Sequence, residues 1–179
     1  MKTRTESRRD GRHLFDRCAK MQLESQYVTR AASADDIDAI VALINRAFAV
    51  ESFFKTGDRT NLAQVQQMMQ DGRFLLLTDK TALVACVWVK ITGKRGYVGT
   101  LSVDPEWQRS GLGARMMRES ENYLRAAGCN VVDIRIVNVR PELREIYRKF
   151  GFVETGTESA EVIRSATRPV HFITMSKAL

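Results

Sequence analysis

The stretch Val103–Met117, VDPEWQRSGLGARMM, sets a glycine-punctuated turn between an apolar run and an amphipathic segment. A strand that runs into such a turn and then into a helix aims several backbone N–H groups at one point, and the helix start adds a partial positive charge there. Gly111 and Gly113 let a guest approach the main chain closely. The guest that suits this arrangement is a pyrophosphate, with Arg109 and Arg115 within reach to add charge-assisted contacts. Two other glycine motifs fail. A G-x-G-x-x-G turn would need glycine where Met116 stands, and no G-K-[ST] closes a Walker loop. A bare helix start with spare glycines is the competing reading, and the surrounding elements must decide.

Those elements alternate. Tyr27–Ser33 reads as a short strand. SADDIDAIVALINRAF then reads as a helix, with Ser33 as cap and Asp36 three residues on. Ile37, Ile40, Val41, Ile44 and Phe48 recur at helical spacing. The loop ESFFKTGDRT leads to a second helix over NLAQVQQMMQ, capped by Thr60 and ended by Asp71 and Gly72. RFLLLTD and TALVACVWVKITG form an antiparallel hairpin, and RGYVGTLSV is a further strand. Gly111–Ala127 is a long helix stopped by Gly128. NVVDIRIVNV alternates Val132, Ile134 and Ile136 with Asp133 and Arg135, which makes it a strand. Pro141 opens a short helix, PELREIYRKF, and GFVET and PVHFITMSKAL follow as strands. This order predicts a mixed α/β sheet in a single domain over 27–179.

Composition narrows the class. A 179-residue chain with 44% apolar and 27% charged residues can bury a full core. Its longest apolar run, Ala82–Val89, is too short to span a bilayer. The net charge is +7; residues 1–26 carry seven Lys or Arg against four acids, leaving +4 for the body. That favours an anionic ligand without singling out nucleic acid, whose binding signatures are missing. Cys18, Cys86 and Cys129 have no metal-ligand spacing, so no metal is expected. Sparse cysteines fit a reducing compartment, here the cytoplasm, and Cys86 reads as a small core hydrophobe. Residues 1–26 read as a basic, disordered extension. An organelle transit peptide is the alternative, against which Glu6, Asp10 and Asp16 argue, and Met21 is an alternative start.

QRSGLG, Gln108–Gly113, matches the Q/R-x-x-G-x-G/A acetyl-CoA loop of the GNAT-type N-acetyltransferase superfamily. It follows LSVDPEW as the family's loop follows its fourth strand. A strand ending in VN comes next, and IYRKFGF resembles the family's LYEKLGF signature. The likeness runs from about Tyr27 to Leu179. It implies a central, mostly antiparallel sheet of about six or seven strands, splayed between strands 4 and 5, with about four helices. It also implies direct transfer of acetyl from acetyl-CoA, as co-substrate, to a primary amine of a small molecule or peptide. No nucleic-acid or membrane partner is implied, and a homodimer is an expectation taken from the superfamily.

The resemblance also assigns roles. Leu101, Ser102 and Val103 would hold the pantetheine arm through backbone groups, one N–H serving as an oxyanion hole. Gln108, Arg109, Ser110, Gly111, Leu112, Gly113 and Ala114 would wrap the pyrophosphate, and Asn138 would touch the cofactor from the other side of the splay. Tyr147 matches the family's proton donor to the leaving thiolate. Leu143, Ile146, Tyr147 and Phe150 also form a helical stripe, so plain core packing is its alternative. Glu51 is the expected base, with a solvated loop acid as its alternative. Asp104, Glu106 and His171 are lesser candidates, Asp104 being suited to shaping the turn at Pro105. Phe53 and Phe54 either wall the acceptor pocket or pack beneath the loop, and Arg59 hints at an acceptor bearing a carboxylate or phosphate. A non-catalytic acyl-CoA sensor of the same fold is the alternative function. It would keep the loop and need neither Tyr147 nor a base.

Overall fold

The strand RFLLLTD buries both of its faces, and its two sets of side chains part company. Leu75 and Leu77 join one apolar cluster, while Phe74 and Leu76 join another on the opposite side. This period-2 division places the strand inside a sheet that is covered on both faces. The computed structural model describes residues 27–80, 82–160 and 166–179; the expected N-terminal extension at 1–26 lies outside them. Seven strands form the sheet: β1 (Tyr27–Ala31), β2 (Arg73–Asp79), β3 (Ala82–Thr92), β4 (Arg95–Val103), β5 (Val131–Val137), β6 (Val153–Ser159) and β7 (His171–Ala178). Their order is β1-β2-β3-β4-β5-β7-β6. Every neighbouring pair is antiparallel except β4 and β5, which run parallel. The mixed, mostly antiparallel sheet that the resemblance implies is therefore present, with four α-helices among the described residues: α1 (Ile37–Ala47), α2 (Leu62–Asp71), α3 (Leu112–Ala126) and α4 (Pro141–Lys149).

The helices take opposite sides. Ile40, Leu43 and Ile44 of α1 and Val65 of α2 pack on Phe74, Leu76 and Cys86. Leu112, Met116, Met117 and Leu124 of α3 pack on the other face, against Leu75, Leu77, Val87 and Ile134. Cys86 is fully buried, and its burial pushes the thiol up to about 12, which suits an inert core residue. Gly96 lets α3 lie directly on β4, since a Cβ there would come within 2.5 Å of Leu124 Cδ1.

Local signals set the helix ends. Asp36 accepts the Ser33 N–H (2.7 Å) and binds Arg30 through two hydrogen bonds (2.7 and 2.5 Å). It thereby anchors a 3₁₀ turn, Ala34–Asp36, that feeds α1. The cap of α2 is Asn61 rather than the expected Thr60. Asn61 Oδ1 accepts from Gln64 N (3.0 Å), and Gln64 Oε1 accepts from Asn61 N (3.1 Å). Only Asn61 has a glutamine three residues on, and that reciprocal box decides between the two. Thr60 instead pairs its backbone with the Asn45 amide.

The parallel pair is short. Arg95, Gly96 and Tyr97 lie opposite Val131, Val132 and Asp133, and the pairing ends there. Arg95 clamps the closed end by a two-pronged bond to Asp133 (2.9 and 2.7 Å). Beyond Tyr97 the strands diverge, leaving the second half of β4 and the end of β5 facing a gap.

Candidate active site

The gap opens into a cavity of about 850 Å³, a volume suited to a small-molecule site. Its walls come from the ends of β4 and β5, the start of α3, one side of α4, and the segment from the end of α1 to α2. A β-bulge shapes the β4 wall. Cys86 lies opposite Ser102 and Trp88 opposite Gly99, so β4 carries an extra residue here, and Thr100 adopts φ +52°. A β-branched residue at positive φ is strained, and bulges twist a strand away from its neighbour. The bulge falls just past the last β4–β5 pair.

The Asp104 N–H donates to Val84 O on β3 (2.9 Å). By strand alternation, Leu101 and Val103 then turn their peptide groups toward the gap. Val103 O accepts the Gln108 side-chain amide (3.2 Å). Ser102 lies between them, fully buried opposite Cys86, and its hydroxyl donates to Thr100 O (3.1 Å).

The turn after β4 is built for open donors. Asp104 caps a 3₁₀ turn, Pro105–Trp107, by accepting the Glu106 N–H (3.1 Å), and it holds Arg46 at 2.7 Å. Ser110 ties its hydroxyl to Trp107 O. Arg109 and Gly111 take φ of +62° and +85°, and Gly111 meets this at no steric cost. No side chain caps α3. Its first internal bond is Arg115 N–H to Gly111 O (3.0 Å), which leaves the N–H groups of Leu112, Gly113 and Ala114 without acceptors inside the helix. Gly113 and Ala114 line the cavity. This orphaned donor set, next to open space at Gly111, fits a diphosphate. Arg115, expected to help there, instead donates to Tyr27 O (3.1 Å) and lies over the Tyr27 ring.

Tyr147 lies on the cavity wall, edge-on to Phe150 (6.2 Å) and Phe152 (5.7 Å). Solvent reaches the ring through the cavity, yet dense protein around it pushes the phenol up to about 12. Nearby Tyr97 adds to the rise and Arg140 opposes it. The hydroxyl is thus protonated at neutral pH and has no hydrogen-bond partner among the described residues.

Glu51 projects into the same cavity from a 3₁₀ turn, Ala49–Phe53, that continues α1. It is 5% exposed, so the solvated-loop alternative does not describe it. Burial raises its pKa, and Arg59, Arg140 and Lys55 pull it back down. Arg59 Nε and Arg140 Nη1 stand 3.8 and 3.9 Å from its two oxygens, outside hydrogen-bond range.

Other candidates lie elsewhere. Asn138 accepts the His171 N–H through its side chain (2.9 Å), extends the β5–β7 ladder, and is not among the cavity-lining residues. His171 and Glu106 are exposed. Phe54 packs beneath the loop with Val137, Ala160 and Phe172, and neither it nor Phe53 lines the cavity. Sequence patterning missed Trp88, Tyr97, Arg135 and Arg140, all cavity-lining. Arg140 carried one usable signal, its place directly before the helix-opening Pro141.

A profile described as "Acetyltransferase (GNAT) domain" matches residues 46–177. The probable glucosamine 6-phosphate N-acetyltransferase 2 of Oryza sativa subsp. japonica is 29% identical over 147 residues, covering 76% of this chain and 87% of its own length. The mycothiol acetyltransferase of Propionibacterium freudenreichii subsp. shermanii is 24% identical over 131 residues; these cover 69% of this chain but 42% of that protein. In fold, the chain is similar to the ribosomal-protein-S18-alanine N-acetyltransferase of Escherichia coli, with a TM-score of 0.71 and 15% identity over 85% of this chain and 93% of that one.

Proposed function

The chain belongs to the GNAT acetyltransferase family, and from that premise we propose that it moves acetyl from acetyl-CoA directly onto a primary amine of a small molecule or peptide. One observation carries the reading: the uncapped start of α3, the half of β4 left without a partner on its β5 side, the protonated Tyr147 and the buried Glu51 all border one cavity.

In this reading acetyl-CoA supplies the thioester. Leu112, Gly113 and Ala114, with Gln108, Arg109, Ser110 and Gly111, hold its diphosphate by main-chain donors and the helix-end charge. Leu101 and Val103 hold the pantetheine arm as a neighbouring strand would, with Ser102 fixing their register against β3. A gap-facing N–H of this segment donates to the thioester oxygen as negative charge builds on it. Glu51 takes the proton that the ammonium must lose before its nitrogen attacks. Tyr147 gives a proton to the sulfur as the C–S bond breaks. Asn138 acts one step back, by holding the end of β5 to β7.

The test is free-thiol release from acetyl-CoA across a panel of amines, amino acids and peptides. Release that depends on an added amine is expected. Acetyl-CoA binding with no release for any acceptor would favour a sensor of the cofactor instead.

A further inference from the structure

We propose that the acceptor is a small amine that also carries an anionic group, a carboxylate or a phosphate, and that Arg59 is the residue that binds the anion. This rests on the reading of the cavity as the site of acetyl transfer.

Four charged side chains line the cavity: Glu51, Arg59, Arg135 and Arg140. Two of the three guanidinium groups are already engaged. Arg135 donates to Glu158 Oε2 (3.1 Å) and to the Tyr97 hydroxyl (3.3 Å). Arg140 Nε donates to Glu142 Oε1 (2.8 Å). Arg59 differs. Its Nε is buried without a hydrogen-bond partner, and it makes no other hydrogen bond among the described residues. Its guanidinium carbon lies over the Phe48 ring, 5.0 Å from the centroid. Glu51 Oε2 stands 3.8 Å from this Nε, an ion pair too long for a hydrogen bond.

A planar cation with five donors in a fixed fork matches an oxyanion that accepts two parallel bonds. A buried Nε that finds no hydrogen-bond partner in the protein is a cost, and a ligand oxygen removes it, while the rest of the side chain stays 34% exposed and open to a guest. Gln64 lines the same cavity and adds a neutral donor. The cap of α2 holds its Oε1 on Asn61 N–H, and its amide NH₂ makes no hydrogen bond among the described residues.

Glu51 then serves the amine end of the acceptor and Arg59 its anionic end. With the two side chains this close, both groups must sit on one small molecule, a short chain or a ring apart. The rival role for Arg59 is to keep Glu51 ionised and nothing more. That role gives no discrimination between acceptors.

Two matched pairs separate the roles and the two anion types: β-alanine against β-alaninamide, and glucosamine 6-phosphate against glucosamine. Steady-state thiol release with the native chain is expected to favour the anionic member of at least one pair by about tenfold to a hundredfold in kcat/KM. Which pair shows it identifies carboxylate or phosphate. In Arg59→Met, shown to be folded by its melting transition, that ratio should fall toward one, and Arg59→Lys should keep part of it. No preference in either pair with the native chain overturns the proposal. So does an Arg59→Met variant that slows both members equally. If Arg59→Met does not fold, the native ratio and the Arg59→Lys ratio decide. Turnover without preference removes only the anion assignment, whereas silence with every amine removes the transfer reading on which it stands.

Discussion

Glu51 is held between opposing influences, and its pH behaviour follows from their signs. Burial favours the neutral acid, while Arg59, Arg140 and Lys55 favour the carboxylate, and burial prevails. A base must be unprotonated, so kcat/KM is expected to fall as pH drops through this raised value, on a limb lying above that of an ordinary glutamate. Arg140→Gln removes one of the cations, so the limb should move to higher pH; a pH–rate profile of the two proteins checks it, and a limb that stays put would take Glu51 out of the role. Tyr147 gives the complementary case. Its phenol keeps its proton until about pH 12, so it should cause no loss of rate near neutrality. Tyr147→Phe is expected to lower turnover at least about tenfold while acetyl-CoA still binds by calorimetry. Equal turnover in the variant would leave Tyr147 as packing. Tyr147 was legible in the sequence because it sits inside a local pattern, IYRKFGF. The burial of Glu51 and the presence of Arg140 beside it were not, because the end of β5 meets the 3₁₀ turn after α1 only through the sheet.

The turn into α3 separates two glycines that look alike in the sequence. Gly111 needs its positive φ of +85°, which an alanine would adopt at a cost of about 1 to 2 kcal/mol. Gly113 is helical, and a Cβ there would meet Val103 Cγ2 at 3.8 Å, an ordinary contact. Alanine at 113 should therefore hold or slightly raise stability. Chemical denaturation of Gly111→Ala and Gly113→Ala should show that contrast, and any weaker acetyl-CoA binding in Gly113→Ala is then due to the ligand rather than to the fold. Strand and helix periodicity made most elements readable, down to Pro141 opening α4. The bulge at Thr100 was hidden, because RGYVGTLSV reads as one unbroken strand whichever residue is the extra one. The cap of α2 was ambiguous between two adjacent cap-forming residues until the glutamine at 64 was counted from each.

For the molecule as a whole, element order and a mixed α/β class could be read from the chain. The strand order could not. Alternation says which face a side chain takes, not which strand lies beside which. The splay between strands 4 and 5 came from the resemblance, and its cause is visible only in the paired backbone: three residues of parallel ladder, then a bulge. That opening predicts a cooperative response. The peptide N–H groups of Leu101 and Val103 lie in the middle of the sheet order, yet should exchange with solvent faster than those of β2 or β3. Acetyl-CoA should slow them and raise the melting temperature, by the equivalent of about 2.7 kcal/mol at a hundredfold excess over Kd. Hydrogen exchange with and without the cofactor measures both ends of this, and unchanged exchange at 101 and 103 would place the ligand elsewhere. A bare row of amides at the rim of a sheet invites another protein to dock along it. Here the row is recessed between two strands of the same sheet, with helices above and below. A visiting polypeptide projects its residues alternately to both sides and would have to seat them against the helices on either face, whereas a slender unbranched thread would not. The wedge is thus expected to admit a thin ligand in preference to a second strand.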